Sequence, residues 1–174
     1  LLGASRAVYD DWLNLCVWAK SNAGMGSLYR SQHELVAVFK KGKRPHINNV
    51  ELGSNGRHRS NVWNHAGANS FSNARSEELG WHPTVKPAEM ISDILKDASD
   101  RDDIVLDGFG GSGTTLIAAE HSGRTARLLE LDPLYCDVIL RRFLNAFGQM
   151  PVLIETGQAF TAREQLAVKG GDHD

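Results

Sequence analysis

Residues 104–115 hold the densest set of groups in this chain that could do chemistry. They read Ile104-Val-Leu-Asp107-Gly-Phe-Gly-Gly-Ser-Gly-Thr-Thr115: an apolar strand, an acid, four glycines within six residues, and the start of a helix. Glycines let the backbone approach a ligand, and the first turn of a helix offers N–H groups without partners inside the helix. Such an order places a ligand at the carboxyl end of a sheet strand. Gly108–Gly113 satisfies G-x-G-x-x-G and Glu130 follows Gly110 by 20 residues, which is the pattern of a dinucleotide site. Asp107 opposes that reading. A carboxylate beside a pyrophosphate is repulsive, whereas a cationic amino group is drawn to it, as in S-adenosylmethionine. Glu130 accepts ribose hydroxyls in either case. The loop has no lysine, which excludes a Walker phosphate loop. A turn without a ligand needs only one or two glycines.

Asp107–Thr115 resembles the D-P-F-x-G-S-G-T-T motif of the amino-group DNA methyltransferases, which move methyl from S-adenosylmethionine to adenine N6 or cytosine N4. His82-Pro-Thr-Val-Lys-Pro87 is similar to the family's H-P-T-x-K-P, which packs beside the methionine part of the cofactor. Glu130-Leu-Asp-Pro-Leu-Tyr135 is similar to its acidic strand end. Val17–Lys20, Gly24–Gly26, Tyr29–Arg30, His33–Glu34 and Phe39–Gly42 resemble the strands between catalytic motif and target-recognition region, so the resemblance spans almost the whole chain. It implies S-adenosylmethionine as cofactor, with Asp107 on its amino group and Glu130, beside Asp132, on the ribose. Phe109, Gly110, Ser112, Gly113 and Thr114 would shape the loop, and Thr84 and Lys86 would close the pocket. Gly108 departs from the family's Pro, and a looser loop entry with weaker affinity is expected there.

The family's catalytic segment, D/N/S-P-P-Y/F/W, holds the target amine and stacks on the flipped base. The sequence has no Pro-Pro pair. Asp132-Pro-Leu-Tyr135 superficially resembles the segment, but its place after the second acidic strand end puts it at the cofactor's ribose side and at a helix start. In the family's permuted motif order the catalytic segment comes first. The expectation is therefore a fragment with no catalytic residue of its own, the motif lying upstream of Leu1. Two rivals are an NAD-dependent oxidoreductase, which rests on G-x-G-x-x-G alone, and an inactive cofactor- or DNA-binding remnant.

The net charge of −2 conceals an asymmetry: residues 20–75 carry +7 and residues 76–174 carry −8. Phosphate contacts need local positive charge, so the basic half suggests double-stranded DNA as partner. Lys40, Lys41, Lys43, Arg44, Arg57 and Arg59 are the candidate DNA contacts, and residues 43–80 read as an inserted recognition loop. Histidines and two cysteines without C-x-x-C spacing give no metal site. Cys16 and Cys136 fit small core residues of a reducing, cytoplasmic compartment. No apolar run of 18 and no signal peptide occur, which argues against a membrane.

The elements that must position these groups follow from periodicity. Leu13–Trp18 and Glu34–Phe39 read as strands, and residues 40–81 lack periodicity. Met90, Ile91, Ile94 and Leu95 share one face of a helix over 88–98. Ile104–Leu106 is a strand. Thr114–His121 is a helix closed by Gly123, and 126–131 a second strand. Pro133 opens a further helix, and 152–154 reads as a last strand. The pattern from 88 to 146 implies one α/β domain of Rossmann-like methyltransferase type, with a mostly parallel sheet and helices on both faces. As a fragment, that domain is expected to be incomplete.

Overall fold

A computed structural model describes residues 2–54, 56–67 and 85–160. After a short helix α1 (Leu2–Ser5) come β1 (Asp11–Ala19), β2 (His33–Lys40) and β3 (Val62–Asn64). Then follow α2 (Ala88–Ala98), β4 (Ile104–Asp107), α3 (Thr114–Ser122), β5 (Thr125–Leu128) and α4 (Pro133–Phe147).

β1 is the centre of a three-stranded sheet, antiparallel to β2 and parallel to β3. Side chains alternate across a strand, so Cys16 and Trp18 share one face. They are buried with Trp63 of β3 against Met90 of α2, and Val36, Val38, Ile91 and Ile94 close around them. The apolar stripe of α2 thus covers this sheet. The indole N–H of Trp18 donates to the His65 carbonyl at 2.8 Å, which satisfies its one polar atom.

β4 and β5 form a parallel pair, Ile104 opposite Thr125 through Asp107 opposite Leu128. α3 crosses between them, with Ile117, Ala118 and Ala119 buried. Gly123 ends it at φ 72°, a left-handed conformation that suits glycine, and its N–H caps the Ala119 and Glu120 carbonyls. Ile104 and Leu106, at alternate positions of β4, are exposed. Two of the three strand pairings are parallel, and the β4–α3–β5 unit delivers Asp107 to a strand end beside a glycine loop. This is the Rossmann-like α/β architecture that the sequence implies.

Two expected strand bounds change for local reasons. β5 stops at Leu128, because the Leu129 N–H donates to the Asp107 carbonyl while the Leu129 carbonyl accepts from Gly110, so pairing passes from strand to loop. The expected strand at 152–154 is a single bridge, Val152 to Ala159. There the chain reverses at once: Gly157, at φ 68°, donates to Leu153 at 2.7 Å. Of the expected recognition stretch, 43–54 and 56–67 are described, and they hold β3 and a 3-10 turn at Glu51–Gly53. His82, Pro83 and Thr84 lie outside the described residues.

Candidate functional site

The glycine loop turns its N–H groups onto the protein. Phe109 donates to Asp107 Oδ1 at 3.0 Å, Gly110 to the Leu129 carbonyl at 2.8 Å, and Gly111 to Glu130 Oε2 at 2.6 Å. Gly113 donates to the Gly110 carbonyl at 2.8 Å. A dinucleotide loop keeps such groups for a pyrophosphate. Here four of them are engaged, and two carboxylates stand at the loop instead. Asp107 Oδ2 also accepts from the Thr115 hydroxyl at 2.6 Å, and Glu130 Oε1 from the Asp132 N–H at 3.0 Å. Each carboxylate oxygen has lone pairs beyond these bonds and remains an acceptor for a ligand.

A cavity of about 380 Å³ opens over the loop. Of the residues expected to hold the cofactor, Lys86, Asp107, Phe109, Gly110, Ser112, Thr114 and Glu130 line it. Phe109 is 93% exposed, an apolar surface that the described residues leave open to a ligand. A set with two carboxylates and an open aromatic ring fits the amino group, ribose and apolar parts of S-adenosylmethionine. It fits a pyrophosphate poorly.

Two expected cofactor residues, Gly113 and Asp132, do not line the cavity. Gly113 is absent from the cavity wall: at φ 78°, any Cβ would meet Ile139 of α4 at 3.0 Å, so it serves close packing. Asp132 caps α4, accepting from the Leu134 N–H at 2.9 Å, and its own N–H donates to Glu130 Oε1 at 3.0 Å. Four residues not expected there also line the cavity: Ile91, Gly111, Thr115 and Tyr135. Behind the loop stands another, Arg142 of α4, which is buried. Its Nη1 donates to the Ser112 carbonyl at 2.8 Å, Ser112 Oγ at 3.1 Å and Thr114 Oγ1 at 3.3 Å. Nothing in an amphipathic helix sequence distinguishes such an arginine from a surface one.

A family model described as DNA methylase, covering N6 and N4 amino-methyltransferases, matches residues 11–141. The chain belongs to this family. It is 30% identical over 138 residues to the type II methyltransferase M2.MboI of Moraxella bovis, spanning 75% of this chain and 49% of that protein. It is 32% identical over 87 residues to M.ScaI of Streptomyces caespitosus, covering 50% of this chain and 29% of the relative. The chain thus spans half or less of the length of these relatives. A DNA modification methylase of Thermus thermophilus superposes with a TM-score of 0.61 at 25% identity, over 91% of this chain and 60% of that one. Its complex with S-adenosyl-L-methionine gives a TM-score of 0.60 at 25% identity, over 85% and 59%.

The basic residues of this DNA methylase family member divide into two sets. Arg57 and Arg59, expected on DNA, are turned to α2. Arg57 Nη2 meets Asp97 Oδ1 at 2.6 Å, and Arg59 reaches Asp97 Oδ2 at 2.9 Å and Asp93 Oδ2 at 3.2 Å. Their role is to pin the chain before β3 onto the helix, which corrects the expectation of free phosphate contacts. Lys40 pairs with Asp11 at 3.0 Å and Lys41 with Asp10 at 3.7 Å. Asp10 also accepts from the Gly42 N–H at 2.6 Å, which holds its carboxyl below the usual range. Lys43 and Arg44 are exposed, and no ion pair engages them among the described residues. Burial pushes both cysteine thiols up, with Glu130 adding to the effect on Cys136, and neither cysteine is in a disulfide. Among the described residues no group of acids, histidines and cysteines could hold a metal, and no helix is long and apolar enough to cross a membrane.

Proposed function

We propose that this chain forms the methyl-donor part of a DNA amino-methyltransferase, with S-adenosylmethionine as cofactor and double-stranded DNA as substrate. One observation carries the reading: four of the loop's N–H groups, those of Phe109, Gly110, Gly111 and Gly113, are engaged within the protein while Asp107 and Glu130 border the cavity. S-adenosylmethionine, when bound, supplies a methyl carbon on a positively charged sulfur. Asp107 offers its carboxylate to the amino group and Glu130 to the ribose hydroxyls. Phe109 supplies apolar surface, and Lys86, with Thr84 by resemblance, closes the site. Asp132 acts through Glu130. Residues 43–80 serve target recognition, and Lys43 and Arg44, with Lys40 and Lys41 behind them, meet phosphates.

Transfer also needs a group that holds the target amine within roughly 3–3.5 Å of the methyl carbon and accepts its protons. No acid-, amide- or serine-Pro-Pro-aromatic segment occurs in these 174 residues, and Asp132 caps a helix. The 174-residue chain alone therefore binds the donor without methylating DNA, and activity requires such a segment, in cis or in trans. Radiolabelled methyl incorporation into mixed-sequence DNA tests this. The chain alone is expected to give none. The chain supplied with the missing segment is expected to give N6-methyladenine in a nucleoside digest, whereas N4-methylcytosine would correct the amine but keep the reaction. Incorporation by the chain alone would mean that Asp132–Tyr135 or another segment is catalytic.

A further inference from the structure

The connection between β1 and β2 presents Met25, Leu28 and Tyr29 at 97%, 82% and 86% exposure. Single exposed apolar residues are ordinary, but three within five positions on one tip mark an interaction surface. We infer that this loop is a preformed apolar wedge that enters double-stranded DNA at the step from which the target base leaves. The inference rests on the DNA reading above and adds to it a site and a role.

The loop's backbone is fixed before any partner arrives. Lys20 and Gln32 are joined by two bonds of 2.8 Å, from the Lys20 N–H to the Gln32 carbonyl and from Gln32 Nε2 to the Lys20 carbonyl. The Gly24 N–H donates to the Ser31 carbonyl at 2.8 Å. Arg30 folds back across the turn, donating to the Gly24 carbonyl at 3.0 Å and the Ala23 carbonyl at 2.9 Å. At Gly26 a Cβ would lie 2.7 Å from the Tyr29 carbonyl oxygen, so the chain passes itself closely there. A tip held in this way loses little further entropy on binding.

Its location connects it to the donor site. Glu34 pairs with Lys20 at the loop's root at 2.6 Å and with Lys86 at 3.8 Å, and Lys86 lines the donor cavity. Two ion pairs through Glu34 thus link the root of this loop to the wall of the cavity that a target base must reach. Its chemistry suits a polyanion with stacked bases: no Asp or Glu occurs between Ser21 and His33, and Arg30, bound among the described residues only to backbone carbonyls, keeps its positive charge beside the tip, whereas Lys20 at the root is paired with Glu34. Apolar side chains of this kind separate base steps, and a tyrosine ring stacks on an exposed base.

The test uses the 174-residue chain, a mixed-sequence duplex carrying 5-bromodeoxyuridine, and the variant with Met25→Ala, Leu28→Ala and Tyr29→Ala together. Irradiation and tryptic digestion should place a cross-link in the peptide Ser21–Arg30. The triple variant should lose that cross-link and about tenfold or more in duplex affinity, the effect of lost stacking on a base. Its salt slope and melting temperature should match the parent's, because no cation and no buried side chain is removed. Salt-sensitive binding with cross-links elsewhere and an unaffected triple variant would overturn the wedge and leave the DNA reading intact. No duplex binding by the parent at low salt would overturn both. Loss of anionic-vesicle binding in the variant, without any duplex binding, would assign the tip to a membrane surface instead.

Discussion

Asp107→Asn isolates the charge at the donor site. The asparagine oxygen still accepts from the Phe109 N–H, and its amide group can donate to the Thr115 hydroxyl, which then accepts. The loop is thereby kept while the carboxylate is lost. A charge-assisted hydrogen bond contributes about 1.5–3 kcal/mol net and a neutral one about 0.5–1.5 kcal/mol, so the difference is about 1–2 kcal/mol. Asp107 is only half-buried, and solvent screening brings the expectation to the low end, roughly a five- to tenfold weaker Kd for S-adenosylmethionine. Isothermal titration calorimetry measures this directly. 5′-Methylthioadenosine, which has the adenosine and sulfur but no amino group, serves as the control ligand. Asp107→Asn should bind it as the parent does. Equal loss for both ligands would show a collapsed loop and not a missing charge. No loss for either would remove Asp107 from the site.

Arg142→Met should lower stability by about 2–3 kcal/mol, since it strands loop oxygens that Arg142 satisfies, and should weaken S-adenosylmethionine binding; Arg142→Lys should restore part of both in thermal melts and calorimetry, and an unchanged affinity would make Arg142 a packing residue only. Changing Lys43 and Arg44 to Gln should reduce the log–log salt slope of duplex binding by about 1.8, two phosphates at about 0.9 each, as read by fluorescence anisotropy. Changing Arg57 and Arg59 to Gln should leave that slope alone and cost about 1–2 kcal/mol of stability, because their partners are Asp93 and Asp97; the reverse pattern would return them to the DNA face. The thiolate is the reactive form of cysteine, and burial raises both thiols here, so iodoacetamide at about pH 8 should label Cys16 and Cys136 more slowly in the folded chain than in guanidinium; equal rates by intact mass would contradict the buried geometry.

The β4–loop–α3–β5 unit was legible because its signals are local. An apolar run, an acid, clustered glycines and a second acid at fixed spacing each constrain the backbone directly. Most of the cavity wall was legible for the same reason. What escaped depends on distant partners. Arg57 and Arg59 look like any basic pair until α2 brings Asp93 and Asp97 within hydrogen-bonding reach of them. Arg142 sits in a helix whose sequence does not say which arginine faces inward. Asp132 is a different case: an acid directly before Pro133 is an N-cap signature, and that local signal competed with the ribose-side resemblance. Gly113 likewise satisfies the loop pattern, yet the demand on it comes from Ile139, a residue of the next helix but one strand away in sequence.

The central claim, that the cavity bordered by Asp107 and Glu130 holds S-adenosylmethionine and not a dinucleotide, is tested most directly by titrating the 174-residue chain with each ligand in a calorimeter. Saturable one-site binding of S-adenosylmethionine and no binding heat from NAD are expected. Saturable binding of NAD, with none of S-adenosylmethionine, would contradict it.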